Sequence, residues 1–350
     1  MRLIWWKVET AWEKKKRWRQ KRFDPTCLSP RIFDKNTGAT TSTADLTALK
    51  NTDAPPAPWE TTAASAIHSG KRRAIRDYIS TLDPERDCQE ISYLLSCYEF
   101  PWDTTRALEF ALFRVFGVAK GSPLLVQTGE FVQRTQKRYD DTVLILSEIL
   151  ESGGYDTPRG QAALVRMNKQ HGRFKIPNDE FLYTLSTFIL EPIRWNETYG
   201  WRPLTEPEKQ ASYFFWREIG RRMGIRDIPE SLEAYDKFNR DFEAAEFRYS
   251  PDNEAIAIAT RNLMLSWFLP KGLWEIGAPF VHAMMDEHLL EAVGMKPAPR
   301  WMQGLVRGSV RLRGRLAGLL PPRRKPRLLT KIPTPTYPDG YVISELGAAK

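Results

Sequence analysis

From Lys71 onward the sequence repeats one pattern: apolar residues recur every three to four positions, in runs fenced by capping residues, glycines and prolines. That pattern specifies helices. Runs fit 72–81 and 86–98, and a third opens at Pro101-Trp102-Asp103, with Asp103 as its N-cap, and ends near Gly117. A long pattern over 128–151 stops at Gly153-Gly154, and Pro158 suits the first turn of a helix ending around Gly172. Asn178 and Asp179 open a helix toward Gly200. Thr205-Glu206-Pro207-Glu208 reads as a capping box that starts a helix to Gly224. Further helices fit 230–247, 252–268, 272–293 and 300–320. No run of alternating β-branched residues is convincing, and no internal repeat is found. With 350 residues, 42% of them hydrophobic, the chain can bury a cavity as well as a core. The expected class is all-α, a single globular helical domain whose angular packing is closer to globin than to a simple bundle.

The charge of +9 is unevenly spread. Residues 1–22 carry nine Lys/Arg against Glu9 and Glu13, and residues 300–327 carry nine Lys/Arg and no acid, so the body between them is net acidic. A nucleic-acid-binding core would show a basic face within the fold, so nucleic acid is not an expected partner. The expected organisation is a basic segment over 1–33 with Trp5, Trp6, Trp12 and Trp18, a Thr/Ala/Pro-rich linker over 34–70, a helical body over 71–299, and a basic amphipathic helix and tail over 300–350. The opening MRLIWWKVETAWEKKK lacks an apolar run and a small-residue cleavage site, and no stretch reaches the roughly 18 apolar residues of a spanning helix. The expectation is a protein on the cytoplasmic side, peripheral on a membrane. From Trp301, Leu305, Leu312, Leu316 and Leu319 recur at helical spacing among arginines, which suits an anionic membrane surface and equally a helix docked on the acidic body.

Three cysteines, Cys27, Cys88 and Cys97, give neither a disulfide framework nor a thiolate zinc site. Only four histidines are present. His68 falls in the linker. His282, Asp286 and His288 cannot reach one metal from an unbroken helix, because His288 lies about 240° round from His282. His171, in ALVRMNKQHGRFKIPND, sits near a helix end among small residues, where a flat macrocycle could approach. On spacing alone, a lone histidine there is more often a cap or core-edge residue than a metal ligand. Arg138 and Thr142 share a helical face with Asp141, an Arg and a hydroxyl that could hydrogen-bond bound dioxygen. A solvated Arg–Asp helix pair explains the same spacing.

The pieces YEFPWDTTRALEFALFRVFGV (98–118), KRYDDTVLILSEIL (137–150), ALVRMNKQHGRFKIPNDEFLYTLSTFILEPIRW (163–195), YGWRPLTEPEKQASYFFWREIGRRMGI (199–225) and TPTYPDGYVISELG (334–347) keep their order and cover about a third of the chain. In them the chain resembles the MpaB-like oxygenases, relatives of the latex-clearing rubber oxygenases. The resemblance implies an all-helical fold around a haem b pocket. It implies an oxygenase that uses dioxygen to cleave a carbon–carbon double bond in a prenylated or other lipid-like substrate. The family's axial ligand is the histidine of an R-M-x(n)-H segment. His171 matches it, with Arg166 and Met167 as the flanking cofactor contacts. Arg138 and Thr142 match the Arg and Thr of an Arg-x-x-Lys-Thr segment on the oxygen side, while Asp141 replaces its Lys and reverses the charge. The implied roles are negative-charge stabilisation by Arg138 and Thr142 and proton transfer or orientation by Asp141. A non-catalytic haem sensor or carrier, and a haem-free membrane-surface module, are the alternative readings.

Overall fold

The computed structural model describes residues 57–347 and two short strands, β1 (Arg31–Phe33) and β2 (Thr40–Ser42), paired antiparallel with Arg31 opposite Ser42. Residues 1–30, 34–39, 43–56 and 348–350, which include the tryptophan-rich segment and most of the linker, lie outside the described residues.

Among the described residues everything else that is regular is helical, apart from an isolated antiparallel bridge between Val118 and Phe247. The helices are α1 (Trp59–Thr62), α2 (Ala64–His68), α3 (Ala74–Ile79), α4 (Cys88–Leu94), α5 (Pro101–Phe116), α6 (Ser122–Gln127), α7 (Thr135–Glu151) and α8 (Pro158–His171). They continue as α9 (Asn178–Tyr199), α10 (Glu206–Arg222), α11 (Leu232–Glu246), α12 (Pro251–Ser266), α13 (Trp274–His282), α14 (Glu287–Ala292) and α15 (Arg300–Leu319). The local chemistry explains the starts. Thr157, Ser231 and Ser250 each accept a backbone N–H from three residues on, and each such cap is worth about 1 kcal/mol. The capping box at Thr205 forms, with the Thr205 N–H donating to Glu208 at 2.7 Å.

The long α9 is the axis of the fold and packs against α5, α10, α11 and α15. Burial then falls into two adjoining cores. One gathers Ile91, Leu94, Leu144, Ile149, Ala163 and Ile189 from α4, α7, α8 and α9. The other gathers Phe113, Phe116, Ile256, Ala257, Leu289 and Val293 from α5, α12 and α14. The all-α class expected from the sequence is the one observed, apart from the small β1–β2 ribbon, which the sequence did not signal.

Four local expectations are corrected. The pattern over 128–151 is not one helix: α6 ends at Gln127, and Gly129 adopts φ 69° before α7 begins at Thr135. The run over 272–293 breaks after His282, because Asp286 caps α14 by accepting the Leu289 N–H at 2.9 Å. Asp103 is not an N-cap. It is buried inside the first turn of α5, accepts from Trp195 Nε1 at 3.1 Å, and takes both contacts of Arg313 at 2.8 Å. Within the stretch read as linker, residues 59–68 form α1 and α2, and His68 ends α2.

Arg313 belongs to α15, and its pairing shows how that helix docks. Arg307 donates to the carbonyls of Ala283 (2.7 Å) and Met285 (3.0 Å). Gly314 lies so close to the end of α9 that a Cβ there would sit 2.1 Å from the Tyr199 carbonyl oxygen. The arginine-and-glycine side of α15 therefore faces the body, and its leucines face away.

A C-terminal strap, residues 329–347, closes over α7 and α8. Four buried carboxylates on α7 receive it. Glu151 accepts from the Leu329 and Thr330 N–H groups and the Thr330 hydroxyl at 2.7–3.0 Å. Asp140 accepts from the N–H and hydroxyl of Thr336, Asp141 from the Tyr337 hydroxyl, and Glu148 from the Tyr341 hydroxyl. Buried carboxylates left without donors would be costly, so the strap completes this part of the fold.

Candidate active site

The inner faces of α5, α7, α9 and α10 line a cleft that is open at one side. Its α7 wall extends from Tyr139 to Glu151, a rise of about 18 Å. Leu108, Leu112, Val143, Leu146, Phe188 and Trp216 make it predominantly apolar. A long greasy cleft of this kind suits an elongated apolar molecule.

Two acids interrupt the grease. Glu109, buried on α5, accepts from the Tyr139 hydroxyl and from Arg106, each at 2.6 Å. Burial pushes its carboxyl up to about 7, against the pull of Arg106 and Tyr139. Glu151, at the far end, is also raised to about 7 by burial, opposed by its bonds to the strap. Sequence reasoning missed both. The signal for Glu109 was one acid in the apolar run ALEFALF, on the helical face shared by Thr105 and Leu112.

Thr142 lines this cleft, whereas Arg138, Asp141, Arg166, Met167 and His171 do not. His171 is the last residue of α8. The residue keeps some exposed surface, yet its ring Nδ1 is buried and meets no hydrogen-bond partner. The ring meets Phe181 edge-on, with centroids 5.4 Å apart. Burial, and then the charge of Arg138, bring its pKa down to about 4, so the imidazole is neutral at pH 7. A neutral imidazole with an unclaimed nitrogen is the form that binds a metal.

Among the described residues Arg138 has no carboxylate within ion-pair distance. Its guanidinium donates to the Thr142 hydroxyl and lies 4.9 Å over the Phe131 ring. Burial lowers its pKa, while Asp141 and Glu130 act in the other direction. Thr142 in turn donates to the Arg138 carbonyl at 2.7 Å, which fixes the hydroxyl. A buried positive charge with no carboxylate of its own, beside an unpartnered imidazole, leaves room for an anionic or polar guest.

The remaining sequence candidates point elsewhere. Asp141 accepts from Lys137 of its own helix at 2.7 Å and from Tyr337 of the strap at 2.5 Å, so both its oxygens are engaged. Arg166 donates to the Leu346 carbonyl, and Met167 is buried in the core. His282 bonds the Lys296 carbonyl at 2.9 Å, Asp286 pairs with Arg114, and His288 lies against Phe247. Among the described residues no cluster of three His, Cys, Asp or Glu side chains could hold a metal by itself. A metal at His171 must therefore bring most of its own ligands.

The fold and the site together define an all-helical body with an apolar cleft between its inner helices and a neutral imidazole at the end of α8. A sequence profile of the family described as ER-bound oxygenase mpaB/B'/Rubber oxygenase, catalytic domain, matches residues 104–315, and the chain belongs to this family. It is 32% identical over 225 residues to the ER-bound oxygenase mpaB' of Penicillium brevicompactum, covering 58% of this chain and 52% of that one. To the ER-bound oxygenase mpaB of Penicillium roqueforti it is 30% identical over 213 residues, covering 56% and 71%. The chain thus spans about half the length of the first relative. Among solved structures, latex clearing protein LCP in its closed state aligns with 14% identity and a TM-score of 0.38, over 85% of this chain and 74% of that one.

Proposed function

We propose that the chain is a haem b-dependent oxygenase that cleaves a carbon–carbon double bond of a prenylated or other lipid-like substrate with dioxygen. The observation that carries this reading is the neutral, unpartnered imidazole of His171 beside the unpaired guanidinium of Arg138. Haem fits the donor set: it would need a single imidazole from the protein, would bring the remaining ligands itself, and would supply the oxygen-activating iron. His171 would hold it from the end of α8, while Arg166 and Met167 on the same helix serve the strap and the core.

The protein's own contribution follows from the geometry. Thr142 locks the Arg138 guanidinium, so its positive charge is pre-oriented toward negative charge that develops during reaction. The apolar cleft takes the substrate chain and excludes water. Glu109, poised near neutrality and bonded to Tyr139, can hold or release a proton inside the cleft. Asp141, with both oxygens engaged, acts as a positioning residue that ties α7 to the strap. The ER-bound description of both relatives supports membrane-surface association here, and among the described residues no helix is long and apolar enough to cross a membrane.

An absorption spectrum of the purified protein, with and without dithionite and carbon monoxide, tests the reading. A haem band that disappears in His171→Ala is expected, and a colourless protein that takes up no added haemin would refute it. Oxygen consumption with a prenyl lipid then separates an oxygenase from a carrier.

A further inference from the structure

Amphipathic helices on globular proteins bury their apolar stripe. α15 does so with Met302, Val306 and Val310, which are partly buried, and leaves a second apolar stripe exposed. Trp301, Leu305, Leu312, Leu316 and Leu319 are 67%, 59%, 55%, 53% and 82% exposed, and helical geometry places them within an arc of roughly 60° along about 27 Å. The side that touches the body is the one with Arg307, Arg313 and Gly314. α13 packs against α15 and repeats the arrangement, leaving Ile276 (70%) and Phe280 (49%) outward on one face, with Phe268 (77%) just before it. An exposed apolar surface this extended marks an interaction site.

We propose that the outward faces of α13 and α15 form a monotopic docking surface for a phospholipid bilayer with anionic headgroups, and that this surface sets the cleft beside the bilayer. The inference deepens the membrane-surface reading by naming the face. Charge selects the occupant. Arg300 and Arg315 border the apolar stripe, and Arg323, Arg324 and Lys325, all exposed, follow the helix, with no acid between 300 and 327. A second copy of the chain would set this basic rim against itself. The N-terminal residues 1–22, strongly basic themselves, would be repelled in the same way. A bilayer supplies the two things the surface requires, an apolar layer at the centre and negative charge around it.

The position of the cleft agrees. The chain leaves α15 at Leu319, and eight residues later Arg327 lines the cleft, followed by Leu329. Arg327 is fixed there by its N–H bond to the Cys97 carbonyl at 2.9 Å. A substrate chain leaving the bilayer beside this basic segment would meet the end of the cleft near Glu151.

The full chain is mixed with vesicles of phosphatidylcholine alone or with 30 mol% phosphatidylserine, and partition is read by co-sedimentation. Hydroxyl-radical footprinting of the bound wild type reads which side chains are covered. Expected are salt-sensitive binding to the anionic vesicles, protection of Trp301, Phe268 and Phe280, and partition about tenfold or more weaker in Leu312→Glu/Leu316→Glu with an unchanged circular dichroism spectrum. Absent binding by the wild type overturns the face and the membrane reading together. Binding without protection at Trp301 and Phe280, or undiminished in a folded double variant, overturns the face alone. A dimer in solution that the same substitutions dissociate, with no vesicle binding, assigns the surface to self-association and overturns the proposal.

Discussion

The Tyr337 hydroxyl donates to Asp141 at 2.5 Å across 196 residues of sequence, joining the strap to the helix that carries Arg138 and Thr142. Asp141 is fully buried, and Lys137 supplies its other bond. Tyr337→Phe removes one donor to a buried carboxylate and is expected to destabilise the protein by about 1–3 kcal/mol. Thermal unfolding should show a fall of a few degrees, with haem content unchanged. Asp141→Asn keeps an acceptor but loses the charge pair with Lys137, and should cost a similar amount. If Asp141→Asn abolishes turnover while leaving stability intact, the residue moves protons rather than positions the helix.

His171→Ala is expected to lose most bound haem and keep its helical spectrum, whereas His282→Ala and His288→Ala keep the haem, since those rings serve the Lys296 carbonyl and Phe247. In the haem-free chain His171 has a folded pKa of about 4, below its unfolded value. The unfolded state therefore binds the extra proton first, and stability falls as pH drops from about 6.5 to 4. The difference in urea midpoint between wild type and His171→Ala should change over that window and stay flat above it. A flat difference throughout would place the ring in water.

Arg138→Ala should retain haem and lose turnover by roughly 10²- to 10³-fold, the typical loss on removing one preorganised donor. Thr142→Val leaves the guanidinium in place but unlocked, and should cost less. Steady-state kinetics with a prenyl substrate reads both. Equal losses would mean that the hydroxyl, which alone of the two lines the cleft, acts directly.

Glu109 has a folded pKa of about 7, raised by burial above its unfolded value. Here the folded state holds the proton more tightly, so stability falls as pH rises from about 4.5 to 7. Glu109→Gln removes that titration while keeping an acceptor for Tyr139. Its stability relative to wild type should rise across the same window, and chemical denaturation at pH 5 and pH 8 is sufficient to see it. An unchanged difference between the two pH values would show that Glu109 is already ionised in the fold.

Local chemistry was what the sequence announced well. The box at Thr205 and Glu208 and the proline of Pro158 act within one helical turn, so residue type and spacing decide them. The cap at Asp286 was equally local but hidden inside a continuous apolar pattern. The docking side of α15 was not legible, because a helical period separates two faces without saying which one meets the body. That is decided by Asp103 and Tyr199, more than a hundred residues away. Arg138 and Thr142 were placed together correctly by their four-residue offset, while Asp141 is turned toward Tyr337 by a segment nearly two hundred residues later. The family resemblance singled out His171, and the fold explains why the ring is neutral and unclaimed.

The strap is made after everything it covers. While residues 329–347 are still inside the ribosome, α7 holds Asp140, Asp141, Glu148 and Glu151 without the hydroxyl and N–H donors that later bind them, and only Asp141 and Glu148 have a cation from outside the strap, Lys137 and Arg159. Such a helix resists burial, so α7 and α8 would stay loosely apposed during synthesis and set only when the tail folds back. Vectorial translation thereby defers closure of this face of the body until the strap has emerged, leaving an interval in which the α7–α8 region is open to a guest that the folded protein would have to reopen to admit.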